Sequence, residues 1–268
     1  MKKKRIIPVV LLKNGWVVQS KNFSVHQNIG NALNSVKRFS EWGSDELIYL
    51  DISRDDIYDI KRNDQNYKNI NNIIEILENV SKVSFMPITI GGKIRSRNDI
   101  HIRLKAGADK VSINSYALKK KNFVYESAKE FGSQCIVVSV DVKKIDNKYF
   151  VFSNFGMTNT NILLLDWCKI IEDNGAGEIL LNSIDRDGTK QGYDLELLNL
   201  VSNSIKIPII ALGGVGEWSH IAEAIKNTNV DGFAASNIFH HYDQSVYLAR
   251  KYLYDKQYNV RKPMLLDL

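Results

Sequence analysis

Short apolar runs rich in valine and isoleucine recur along the chain, separated by stretches of helical period. The runs are RIIPVVLL (5–12), ELIYLDI (46–52), MPITIGG (86–92), KVSIN (110–114), CIVVSVDV (135–142), EILLNSI (178–184), IPIIALGG (207–214) and DGFAASN (231–237). Runs that stay apolar on consecutive positions predict strands covered on both faces, as in a parallel sheet. Segments such as 69–81 (NINNIIEILENVS) and 118–131 predict the covering helices. Eight strand–helix units in 268 residues match a closed (β/α)₈ TIM barrel. The whole chain, 1–268, is expected to form one such domain.

The pattern repeats internally. ELIYLDISRDD (46–56) lies over EILLNSIDRDG (178–188) at an offset of 132, which puts Glu46 on Glu178 and Arg54-Asp55 on Arg186-Asp187. Gly91-Gly92 falls on Gly213-Gly214 at an offset of 122, which also puts Asp109 on Asp231 and Asn114 on Ser236. Two half-barrels, about 1–130 and 131–268, are therefore expected. RIIPVVLLKNG (5–15) lies over CIVVSVDVKK at an offset of 130, and Leu11 then occupies the position of Asp141.

In this architecture chemistry sits at the C-terminal strand ends. A Gly-Gly there lets a phosphate oxygen reach backbone N–H groups with no Cβ in the way, and a following helix start adds its positive end. Gly91-Gly92 with Asn114-Ser115 makes one expected cradle. Gly213-Gly214 with Ala235-Ser236-Asn237 makes the other, and Gly188 joins the phosphate-binding set. A ligand with a phosphate at each end would span the barrel mouth. Asp141, at the end of an interior strand, needs a partner or solvent. It is read either as half of a salt bridge or as a general acid–base group. Asp185 and Asp187 in SIDRDGT are loop aspartates that commonly bond their own turns. At the opposite end Arg5, Glu46, Lys110 and Glu178 start strands 1, 2, 4 and 6, and two cations alternating with two anions would form a salt-bridged ring.

The net charge of +6 admits a nucleic-acid binder on charge alone. Beyond the N-terminal Lys2-Lys3-Lys4-Arg5 the lysines are interleaved with acids, however, and the one tight run among them is Lys119-Lys120-Lys121, so phosphorylated small molecules fit the charge better. The start, MKKKRIIPVVLL, mimics a signal peptide, but its apolar run is short, contains Pro8 and leads to Lys13. No run approaches the roughly 18–20 apolar residues of a membrane span, so a cytoplasmic protein is expected. Cys135 and Cys168 lack C-x-x-C spacing and are expected as buried reduced thiols. His26, His101, His220, His240 and His241 show no H-E-x-x-H spacing, so neither metal nor cofactor is expected. There is no G-x-S-x-G elbow and no Walker motif. His240-His241 are expected to be exposed.

KRIIP, IGGKIRS, GADKVSIN, GAGEILLNSIDRDGTKQGYD and ALGGVG resemble the cyclase subunit of imidazole glycerol phosphate synthase, the HisF family, across nearly the whole chain. The resemblance implies a ribulose-phosphate-binding barrel that pairs with a HisH-like glutaminase at its N-terminal face. Ammonia then crosses the barrel and meets a bis-phosphorylated ribulosyl aminoimidazole-carboxamide ribotide (PRFAR). It makes Arg5, Glu46, Lys110 and Glu178 the ammonia gate, and Asp109 a partner-interface residue. The family's acid–base pair of aspartates lies at the ends of strands 1 and 5. Asp141 matches one, and Leu11 stands where the other belongs. Gln19, Lys93 and Leu212 replace a family lysine, glycine and serine.

VVLLKNG is also similar to the VLLLKNG of HisF-like glycosyl amidation paralogues (WbuZ type), which implies ammonia delivery to a third, sugar-amidating protein. Three functions are thus in play: an ammonia-conducting barrel diverged toward a surface-polysaccharide sugar, a histidine-pathway cyclase in which Asp51 or Asp185 replaces the first aspartate, and a non-catalytic scaffold that activates the glutaminase.

Overall fold

The computed structural model describes residues 2–21, 25–55, 58 and 72–267. The eight apolar runs form the parallel strands of one closed barrel. They are β1 (Arg5–Lys13), β2 (Leu47–Asp51), β3 (Ile88–Gly91), β4 (Lys110–Ile113), β5 (Ile136–Ile145), β6 (Glu178–Ser183), β7 (Ile209–Leu212) and β8 (Gly232–Ala235). Each pairs with the next in sequence, and β8 closes on β1 with Arg5 opposite Gly232.

Strand alternation sorts the side chains between two cores. Ile7, Val9, Ile48, Val137, Leu180, Ile210 and Ala234 fill the lumen, with Leu11, Leu50 and Leu212 packed against them. The intervening residues, such as Val10, Tyr49, Val138 and Phe233, pack outward in the larger core that the helices cover. Because both strand faces are buried, the runs read as continuously apolar.

Four strands were not legible as strands. Trp16–Lys21 and Val25–Asn31 follow β1, and Lys148–Ser153 and Thr158–Leu163 follow β5. Each insert starts at a tight antiparallel turn with two left-handed residues, Asn14-Gly15 (φ 52° and 80°) and Asp146-Asn147 (φ 46° and 61°). That geometry matches the right-handed twist of the strands it joins. The two turns are 132 residues apart, as are the helices that follow the inserts, Ala32–Glu41 and Leu164–Asp173. The sequence offset is thus repeated in the elements themselves.

Two helix expectations are corrected. The helix expected over 69–81 begins at Ile73, where the Asn72 side chain accepts a hydrogen bond from the Glu75 N–H, and residues 69–71 lie outside the described residues. The 118–131 segment is two helices, Ser115–Lys119 and Phe123–Phe131. Lys120 is extended between them, and the break brings Phe123 edge-on to Tyr116 at 4.7 Å. His240 is a third correction. It is not exposed, because the short helix Asn237–His241 turns its ring edge-on to Phe39 at 5.4 Å, whereas His241 is exposed. Burial lowers the His240 pKa to about 4. Cys168 is buried, Cys135 is half-buried, and both are free thiols. No helix among the described residues is long and apolar enough to cross a membrane.

Candidate functional site

The base of the barrel carries the ring that the strand starts suggested. Arg5 bridges Glu46 (2.5 Å) and Glu178, and Lys110 bridges Glu46 (3.1 Å) and Glu178 (3.0 Å). Both glutamates are buried. Each carboxylate meets both cations, so neither anion is left uncompensated in its low-dielectric setting. Asp109 is exposed at this end, and its carboxylate accepts from the Ile88 N–H (2.8 Å) at the start of β3. Asp231, its partner in the repeat, does the same for Ile209 (3.2 Å) at the start of β7.

At the opposite end Asp141 is buried, and among the described residues it has no cation in salt-bridge range. Two side-chain amides take that place. Asn114 Nδ2 donates to one carboxylate oxygen (2.7 Å) and Asn182 Nδ2 to the other (2.9 Å). Burial pushes the Asp141 pKa above the usual aspartate range, and the two amides partly offset this. With both NH₂ groups turned to the carboxylate, Asn114 Oδ1 and Asn182 Oδ1 are buried with no hydrogen-bond partner among the described residues. Asn182 was not anticipated. Its parity with Leu180 and its register opposite Asp141 are the signal that would have found it.

Leu11 sits four strands away around the closed barrel, in register with Leu50 of β2 and Val18 of the first insert. Together with Leu50 and Leu212 it makes one side of the mouth apolar. The two alternative carboxylates are both committed elsewhere. Asp51 follows the lumen-facing Leu50, so it points outward, where it accepts from Ser53 N (2.9 Å), Ser53 Oγ (2.6 Å) and the Tyr58 hydroxyl (3.0 Å). Asp185 accepts from the Lys144 N–H (2.8 Å) and ties down the extension of β5. Gln19 bonds Gln27 within the first insert (2.9 Å).

The two Gly-Gly ends differ. Gly213, Gly214, Gly188, Ala235 and Ser236 line a cavity together with Lys190, His241, Leu11 and Leu212. Gly214 has φ 98°, and a Cβ there would stand 2.2 Å from the Gly192 carbonyl oxygen, so glycine is required. Ser236 Oγ is buried and has no partner among the described residues. At the other end Gly92 has φ 103°, and a Cβ there would stand 2.3 Å from the Asp51 carbonyl oxygen. Here the neighbouring side chains are engaged. Asn114 is turned to Asp141, and Ser115 Oγ accepts from the Asn154 N–H (3.3 Å).

Comparison with known proteins gives a family match and close relatives. A family described as "Histidine biosynthesis protein" matches residues 5–245. The chain is 42% identical over 259 residues to imidazole glycerol phosphate synthase subunit HisF of Hydrogenobaculum sp. (strain Y04AAS1), covering 96% of this chain and 98% of the relative. It is 40% identical over 259 residues, with the same coverage, to the subunit of that name from Bacillus cereus (strain G9842).

Proposed function

The chain belongs to the HisF family of histidine biosynthesis proteins, cyclase-type lyase subunits, and from that membership we propose that it is the ammonia-using barrel of a glutamine-dependent amidotransferase. A HisH-like glutaminase docks at the base, where Asp109 contributes to the interface. Arg5, Glu46, Lys110 and Glu178 gate the entry of ammonia. The observation that carries the proposal is the closed ion-pair ring beneath an apolar lumen that ends at Asp141. Neutral ammonia crosses such a lumen cheaply, whereas ammonium ion would lose its hydration without compensation. At the mouth Asp141 moves the protons, and the Gly213-Gly214 cradle, with Gly188, Ala235 and Ser236, holds a phosphorylated acceptor.

The nature of that acceptor follows from Leu11. An acid–base group positioned in the transition state contributes about 10²–10⁴-fold, and leucine transfers no proton. Asp51 points away from the lumen and Asp185 bonds the backbone of the β5 extension, so neither stands where Leu11 does. We therefore read the barrel as diverged from PRFAR cyclisation toward another acceptor, a surface-polysaccharide sugar amidated with the help of a third protein. Identity of 42% to a HisF subunit favours the second reading, a cyclase that still serves histidine synthesis.

Two experiments test this. Mixing the purified barrel with a HisH-type glutaminase should raise glutamine hydrolysis, and Asp109→Lys should weaken the effect. A barrel that neither binds nor stimulates that partner contradicts the proposal. In a histidine auxotroph lacking the cyclase, soluble expression of the barrel should fail to restore growth. Full growth would make the histidine-pathway reading the correct one.

A further inference from the structure

The internal repeat places two equivalent Gly-Gly ends at the barrel mouth, and among the differences in their surroundings is one residue that changes the chemistry. Lys93 follows Gly91-Gly92 directly. Its backbone is left-handed (φ 55°), a region that side chains other than glycine enter at a cost. Its side chain is only 12% exposed. The ammonium lies 3.5 Å from Asp51 Oδ2, 5.1 Å above the Tyr58 ring, and is hydrogen-bonded to the Asp55 carbonyl. The ammonium is thus enclosed by one hydrogen-bond acceptor, one ion-pair partner and one ring face.

The rest of the cluster fixes this arrangement. Tyr58 donates to the same Asp51 oxygen that faces Lys93, and burial beside that carboxylate raises the Tyr58 pKa, so the phenol stays a donor. Arg103, itself buried, donates to the Gly92 carbonyl (3.0 Å). The Lys93 ammonium is thus paired inside the protein and is not offered to the mouth. At the matching position of the second half stands Val215, which lines the open cavity beside Ser236, whose Oγ has no partner among the described residues.

We infer that the site takes a ligand with a single phosphate, bound at the Gly213-Gly214 cradle, and that the Lys93–Asp51–Tyr58 cluster keeps the Gly91-Gly92 cradle closed to a second one. The remainder of the ligand lies along Leu11 and Leu212, which line the same cavity. This rests on the phosphorylated-acceptor reading above and narrows its substrate class from bis-phosphorylated to mono-phosphorylated.

The test uses the full chain labelled with ¹⁵N-glycine and titrated with inorganic phosphate. Gly213 and Gly214 amide resonances should shift in a saturable way while Gly91 and Gly92 stay in place. In Lys93→Gly, a residue that suits the left-handed backbone, all four should shift. In Ser236→Asp the Gly213 and Gly214 response should be lost. Saturable shifts of Gly91 and Gly92 in the wild-type protein would overturn the inference and leave the phosphorylated-acceptor reading intact. No saturable shift at either cradle would overturn both.

Discussion

At the scale of the residue, the site turns on a carboxylate and a leucine facing each other across the barrel mouth. Asp141 is held by two amides and, among the described residues, by no cation, so burial dominates and its folded pKa lies above its unfolded one. The folded state therefore binds more protons than the unfolded chain at pH values between the two, and stability falls as pH rises through that interval. Asp141→Asn removes this slope. The variant should be more stable than wild type at pH 7, with the gain shrinking toward pH 3.8, the ordinary aspartate value. Denaturant melts at several pH values read this directly, and a variant less stable at pH 7 would mean that the amides outweigh burial. Position and parity of Asp141 and Leu11 were legible in the sequence. The partners of Asp141 were not, because Asn114 and Asn182 acquire that role across 27 and 41 residues of chain.

At the scale of the element, the eight apolar runs announced the barrel strands because burial on both faces leaves no alternation to misread. The inserts after β1 and β5 were less visible because they are partly exposed, and Val25–Asn31 is polar on most positions. Their turns were the available signal, since Asn14-Gly15 directly after an apolar run is a hairpin signature. Turn chemistry gives an asymmetric prediction. Gly15→Val forces a β-branched residue to φ 80° and should cost about 1–3 kcal/mol. Asn147→Gly relieves a residue at φ 61° and should be neutral or stabilising by a few tenths of a kcal/mol, on the order expected for glycine in the left-handed region. Chemical denaturation of both variants checks the pair, and equal losses would contradict the hairpin assignment.

At the scale of the whole molecule, a charged ring at one end and a half-apolar mouth at the other bracket a lumen of Ile, Val, Leu and Ala. Glu178→Gln leaves Arg5 and Lys110 each short of one anion. The loss should be on the order of 2 kcal/mol, less than the ~3–5 kcal/mol of a fully buried pair, because the two cations keep 22% and 20% of their side-chain exposure. With a glutaminase bound, the same variant should lower glutamine-driven amination more than ammonium-driven amination, and equal effects on both would argue against a gate. The central claim, a retained ammonia route with a displaced acid–base site, is tested most directly by PRFAR turnover with ammonium salt. Wild type and Leu11→Asp/Lys93→Gly are compared side by side. Wild type should be slower than the double variant by about 10²-fold or more, the worth of one positioned acid–base group. A wild-type barrel that cyclises PRFAR as fast as the double variant would contradict the account.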